Sequence, residues 1–184
     1  MERGPAQHRR RSIRLRGYDY AQPGAYFVTI VAHGRECLFA DIVDGQTRLT
    51  EAGRIVDAAW RDLPNHYPGL ALDAFVIMPN HVHAIIQLQA VGAGFKPAPT
   101  PAERPRPLSE IVRAFKSFSS RRINENRGTS GLPVWQRNYY EHVVRDDESL
   151  DRIRCYIVHN PARWAVDRDN PLAAAPEPEA AWRA

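Results

Sequence analysis

Residues 70–88 hold two runs rich in apolar and β-branched side chains, 70–78 and 81–88, separated only by Pro79-Asn80. Proline fixes one φ and asparagine tolerates unusual dihedrals, so the pair predicts a tight reversal between two strands. Directly after it stands His81-Val82-His83. Side chains two apart on a strand point to the same face, so both imidazoles can be offered to one metal ion.

The rest of the chain fits around that hairpin. Residues 25–32, Ala-Tyr-Phe-Val-Thr-Ile-Val-Ala, read as a central strand, and a short hairpin is expected around Asp44-Gly45. Thr50 is a candidate N-cap for a helix carrying Ile55, Val56, Ala59, Trp60 and Leu63 and ending at Pro64. A second helix starts at Leu108 with Ile111, Val112, Phe115 and Phe118 on one face, and Gly128 follows it. Residues 134–144 read as one strand. Asp146-Asp147-Glu148-Ser149 opens a last helix whose buried stripe is Leu150, Ile153 and Ile157, ending near Asn160-Pro161. The alternation of elements predicts an α+β fold, an antiparallel sheet with helices packed mainly on one face.

The 184-residue length and 43% hydrophobic content suit one domain with a real core. Residues 1–16 form a basic arm, 17–165 the folded domain, and 166–184 an Ala/Pro-rich loose tail. Residues 90–107, with Pro97, Pro99, Pro101, Pro105 and Pro107 after Gly92 and Gly94, are a linker insertion. The Arg-rich opening lacks an apolar signal core and no run is long enough to cross a bilayer, so a cytoplasmic, nucleoid-associated protein with no membrane contact is expected. Cys37 and Cys155 match no ligand spacing.

The net charge of +4 conceals clustering. Arg10, Arg11 and Arg14 lie in the arm, and Arg113, Lys116, Arg121 and Arg122 on the second long helix. Clustered guanidinium groups suit a polyphosphate partner, although arginine-rich composition alone can supply a basic surface.

Two histidines are an incomplete metal site. On the last helix Tyr156 and Asn160 are four apart and share a face, so an amide oxygen from Asn160 could join the imidazoles in a mixed site for Mg²⁺ or Mn²⁺, with Tyr156 as a nucleophile nearby. Each residue also has an ordinary reading. The histidines could be unrelated polar positions, Tyr156 a core tyrosine and Asn160 a helix terminator. Tyr139 and Tyr140 compete with Tyr156, but no amide ligand lies one helical turn from either. His142 fits a DNA contact or a structural role. His159 projects about 100° from Asn160.

Met78-Pro79-Asn80-His81-Val82-His83, then Val134-Trp135-Gln136-Arg137-Asn138-Tyr139-Tyr140-Glu141-His142-Val143-Val144-Arg145, then Tyr156-Ile157 with Asn160-Pro161, resemble the HUH-type single-tyrosine transposases, in particular the REP-associated tyrosine transposases. The opening Arg10-Arg11-Ser12-Ile13-Arg14-Leu15 and Gly17-Tyr18-Asp19-Tyr20 are similar to that subgroup as well. The resemblance covers roughly residues 10–165. It implies a ferredoxin/RRM-like HUH fold, His81, His83 and Asn160 as ligands of Mg²⁺ or Mn²⁺, and Tyr156 as the nucleophile. It also implies single-stranded or hairpin DNA, such as repetitive palindromic elements, as partner, and a monomer or homodimer. The activity implied is DNA cleavage and rejoining through a 5′-phosphotyrosine. Two other readings are a catalytically silent hairpin-binding protein and a metal-dependent nuclease that uses water.

Overall fold

The computed structural model describes residues 17–89, 106–176 and 178. Along the chain it forms β1 (Gly24–Val31), β2 (Ala40–Val43), β3 (Gln46–Leu49), α1 (Glu51–Arg61), α2 (Leu63–His66), β4 (Leu70–Ile77), β5 (His81–Leu88), α3 (Leu108–Arg127), β6 (Tyr140–Val144) and α4 (Asp147–His159). The basic arm with Arg10, Arg11 and Arg14 lies outside the described residues, as does the proline-rich linker up to residue 105.

β4-β5-β1-β6 make one antiparallel sheet, and β2 with β3 a separate hairpin. With that hairpin, the short α2 and the last helix α4 set aside, the order along the chain is β-α-β-β-α-β, the ferredoxin-like arrangement. The fold is therefore the expected α+β one. In the hairpin, Asp44 and Gly45 both take positive φ, 51° and 71°, as a two-residue turn matched to strand twist requires.

Strand alternation divides the core in two. Tyr26, Val28 and Ile30 of β1 and Val82, Ala84 and Ile86 of β5 face Val56 and Trp60 of α1 and Ile111, Val112 and Phe115 of α3. Trp60 stacks on Phe75 at 4.9 Å and meets the edge of Phe115 at 5.1 Å. The opposite face of the sheet presents Phe27 and Ile85 to Ile153 and Ile157 of α4. Among the described residues, α1, α2 and α3 cover one face, and α4 with the segment after it covers the face on which His81 and His83 project.

The helix starts follow from their caps. Thr50 Oγ1 accepts from Gly53 N at 3.1 Å, and an Asp146 carboxylate oxygen accepts from Ser149 N at 2.7 Å. α3 ends on Gly128 in the left-handed region, φ 64°.

Several local expectations change. Residues 134–144 are not one strand: only Tyr140–Val144 pairs continuously, and Trp135 makes an isolated bridge to Ala32. The reason is Lys116, whose ammonium donates to the carbonyls of Gln136, Arg137 and Asn138 and so takes the acceptors a neighbouring strand would need. Phe118, expected in the apolar face of α3, is 52% exposed. The first helix stops at Arg61, and Pro64 belongs to the first turn of α2. The chain past Trp164, read as a loose tail, continues from the short helical turn Pro161–Val166 into the buried Asp167 and Asp169.

Gly53, inside α1, is needed for space. A Cβ there would run into the carbonyl oxygen of Phe39, whose backbone also accepts from Thr50 N. Gly53→Ala should therefore destabilise the fold by about 1–3 kcal/mol, although alanine is the better helix former by about 1 kcal/mol. Urea unfolding of the variant checks the sign, and a stabilised variant contradicts the packing described.

Candidate metal and nucleophile site

Asn80, fully buried in the β4–β5 turn, organises the histidine pair. Its amide nitrogen donates to the carbonyls of Arg35 (3.1 Å) and Asp169 (2.6 Å), so its oxygen is left to accept from His81 Nδ1 at 2.9 Å. That assigns the His81 proton to Nδ1 and leaves the Nε2 lone pair bare. His83 Nδ1 lies 2.8 Å from Thr29 Oγ1, its register partner on β1. The Thr29 hydroxyl can accept there, which likewise bares His83 Nε2.

The two Nε2 atoms are 3.0 Å apart. Two nitrogens each about 2.1 Å from one ion and at right angles to each other are separated by about 3.0 Å. Each ring is held from behind by a polar partner, as metal-binding histidines are. Burial pushes the His81 pKa down to about 3, with Arg35 adding to the effect. Burial, then the neighbouring His81, holds His83 well below the usual histidine range. Both rings are neutral, as ligands must be.

Asp167 completes a buried His-His-Asp group able to hold a metal ion. Its Oδ2 is 3.8 Å from His81 Nε2; with His81 neutral this is a shared polar pocket and not an ion pair. Asn160, 2% exposed, closes α4. Its side chain hydrogen-bonds toward Asp167, while its Oδ1 is buried with no hydrogen-bond partner. Two bare imidazole nitrogens grouped with the Asp167 carboxylate, which the Asn160 side chain meets, are a mixed nitrogen and oxygen donor set suited to a divalent ion. The residues present fit such an ion.

Tyr156 hangs one turn before Asn160. Its hydroxyl is 3.4 Å from His83 Nε2, and its ring meets Phe27 edge-on at 6.1 Å. The strand and the helix therefore meet at Tyr156 and His83. Arg154 anchors the helix: its guanidinium grips the Asp73 carboxylate of β4 at 2.7 and 3.0 Å, and Gln87 Nε2 donates to the same group at 2.5 Å. Arg154 holds the Asp73 carboxyl below the usual carboxylate range against the cost of its burial. Neither Asp73 nor Arg154 was singled out by the sequence.

Of the competing tyrosines, Tyr140 lies opposite Thr29 and 6.1 Å from Phe27, on the same sheet face as the histidines, while Tyr139 packs against the larger core. His159 is exposed and its Nδ1 meets the Cys155 carbonyl, turned away as expected.

A cavity of about 1550 Å³ joins His83 and Tyr156 to Arg113, Lys116 and Arg121 on α3. Arg122 and His142 lie outside its wall, Arg122 toward Asp62 and His142 opposite Phe27. Lys116 is not a free cation, because the three carbonyls it holds make it a clamp on residues 136–138. Burial lowers its pKa to about 8.

No protein-family model matches the chain. It is 39% identical over 169 residues to an uncharacterised Haemophilus influenzae protein, covering 88% of this chain and 93% of that one. It is 29% identical over 150 residues to a second protein of that organism, which carries the provisional name REP-associated tyrosine transposase, covering 79% of this chain and 74% of that one. A solved REP-associated tyrosine transposase bound to a REP hairpin shares its fold, with a TM-score of 0.56 and 21% identity over 82% of this chain and 73% of that one. The chain is thus similar in sequence to one protein carrying that name and in fold to another. Among the described residues no helix is long and apolar enough to cross a membrane.

The buried histidines give the protein a pH signature. Unfolding frees both rings to titrate near pH 6.5. Because their folded pKa values are lowered, with His81 down to about 3, their contribution is complete above pH 6.5 and is lost as the pH falls through the window below it. Between pH 6.5 and 5 the His81 ring should cost roughly 2 kcal/mol, and His83 adds to the loss in the same direction. Burial raises the Asp167 carboxyl, which works in the opposite sense, so the net slope is smaller than the two histidines together. Urea titrations of the metal-free protein at pH 7 and pH 5 measure it, and equal stability at the two pH values contradicts the burial of neutral imidazoles.

Proposed function

We propose that this chain cleaves and rejoins single-stranded or hairpin DNA through a tyrosyl-DNA intermediate. The observation that carries the reading is the Tyr156 hydroxyl 3.4 Å from His83 Nε2, in the wall of a cavity that also runs past Arg113 and Arg121.

His81, His83 and Asn160, with Asp167 alongside, would hold Mg²⁺ or Mn²⁺. Such an ion supplies positive charge against the phosphate oxygens as they gain charge in the transition state. The rest is work for the chain's own groups. Tyr156 oxygen attacks the phosphorus, a P–O bond forms to tyrosine, and the bond from phosphorus to the 3′ oxygen breaks. The products are a 5′-phosphotyrosine and a 3′ oxygen that takes the proton given up by the phenol. The new ester keeps the energy of the broken one, so a 3′-hydroxyl can attack it and rejoin the strand without ATP. The Arg154–Asp73 grip holds α4, and Phe27 backs the ring, so that the hydroxyl is presented at one place.

The flank from α3 to residues 136–138 gives the DNA backbone a basic wall, and Tyr140 offers a face for a base to stack on. A structured REP hairpin, bound by the relative of known structure, is the partner we assign to this groove, and the reaction is transposase-like strand transfer.

The test is incubation of the full chain with an end-labelled hairpin oligonucleotide and Mn²⁺ or Mg²⁺, followed by a denaturing gel. A protein-linked label that disappears with chelator is expected. Cleavage without any adduct would assign the reaction to water, and binding alone would make the chain a hairpin-binding protein, either of which overturns the proposal.

A further inference from the structure

The third oxygen donor that the reading above gives to the site is an asparagine, and an asparagine can turn either its oxygen or its NH₂ toward an ion. Only the oxygen binds, so something must fix the amide. Asn160 closes α4 at full burial, where a wrong orientation would leave NH₂ facing the cation.

The group that decides lies seven residues on. After Asn160 the chain makes the turn Pro161–Val166 and brings back Asp167, 5% exposed. Asp167 is itself held: its Oδ1 accepts from Asp169 N at 2.6 Å. Asp169 in turn is paired with Arg35 at 3.2 Å, and its carbonyl takes the Asn80 amide at 2.6 Å. A carboxylate has no proton to donate, so the half of the Asn160 amide that meets Asp167 must be NH₂. The orphaned, buried Oδ1 is then the half turned elsewhere. The carboxylate also stands 3.8 Å from His81 Nε2, so the group that meets the amide borders the histidine pair.

We propose that Asp167 is a positioning residue of the metal centre, which orients the Asn160 carboxamide so that its oxygen, and not its NH₂, faces the ion. This rests on the assignment of His81, His83 and Asn160 as ligands. It makes the segment after α4 part of the site, tied to the His-x-His turn through Arg35 and Asn80.

The experiment is Mn²⁺ titration of the full-length, DNA-free protein, read by the paramagnetic resonance of free Mn²⁺, for wild type, Asp167→Ala, Asp167→Asn, Asn160→Ala and the Asn160→Ala/Asp167→Ala double variant. Thermal unfolding of each metal-free protein runs alongside. Asp167→Ala should weaken Mn²⁺ binding about 10- to 100-fold, the usual effect of losing an outer partner of a ligand. Asp167→Asn, whose carbonyl still accepts from the Asn160 NH₂, should recover most of that loss. In the Asn160→Ala background, removal of Asp167 should cost less than about threefold more, since a residue acting through another has nothing left to act on. Additive losses, or an Asp167→Asn as weak as Asp167→Ala, would make Asp167 an independent ligand and overturn the proposal. Unchanged affinity in Asp167→Ala overturns it as well. Should Asp167→Ala fail to fold, the proposal stands or falls on Asp167→Asn binding Mn²⁺ within a few-fold of wild type. Wild type without stoichiometric, His81-dependent Mn²⁺ binding would instead refute the metal centre itself.

Discussion

Tyr156→Phe should retain hairpin DNA and form no covalent adduct with it. The change removes one oxygen from a half-exposed side chain whose ring packing against Phe27 and His83 is kept. Folding and affinity should move little, and affinity should stay within a few-fold of wild type. Strand cleavage should fall by at least about 10³-fold, because a phenyl ring offers no nucleophile and the remaining groups only position the phosphate. Tyr140→Phe is the control, since that ring shares the face and lines the same cavity. It should keep the adduct. A gel comparison of the two variants against wild type checks both statements, and an adduct undiminished in Tyr156→Phe would end the assignment.

The second large effect is expected from the histidines. His83→Ala removes the ring that lies between Tyr156, Thr29 and His81, and His81→Ala removes the one oriented by Asn80. Either should lower Mn²⁺ affinity by more than about 100-fold, beyond the 10- to 100-fold typical of losing an outer partner, and should abolish adduct formation. Because each ring is neutral and buried in the folded protein, its removal also takes away a group that must be desolvated, so the metal-free variants should lose less stability at pH 5 relative to pH 7 than wild type does. Calorimetric Mn²⁺ titration reads the first effect and urea unfolding the second. Undiminished Mn²⁺ binding in both alanine variants would place the ion elsewhere.

Much of the architecture is written locally. The period-two pattern of β1 and β5, the caps at Thr50 and Asp146 and the Asp44-Gly45 turn each act within a few residues, so they can be read from the chain directly. The same holds for half of the site: His81 and His83 share a strand face, and Tyr156 and Asn160 share a helix face. What could not be read is long-range. Asp167 reaches the site because Arg35 and Asn80, far earlier in the chain, hold the segment around Asp169. Arg154 meets Asp73 across 81 positions. Lys116 looked like one more cation of a basic face, yet its ammonium is committed to carbonyls about 20 residues away. Gly53 inside α1 is explained by the passing Phe39 backbone, a contact the sequence does not show.

The most direct measurement is to digest the protein–DNA adduct with trypsin and find the peptide that carries the nucleotide by mass spectrometry. Cleavage after Arg154 and Arg163 isolates Tyr156 in peptide 155–163, while Tyr139 and Tyr140 fall together in peptide 138–145. The nucleotide mass on peptide 155–163, localised to Tyr156, is the predicted result. The same mass on peptide 138–145 would contradict the account.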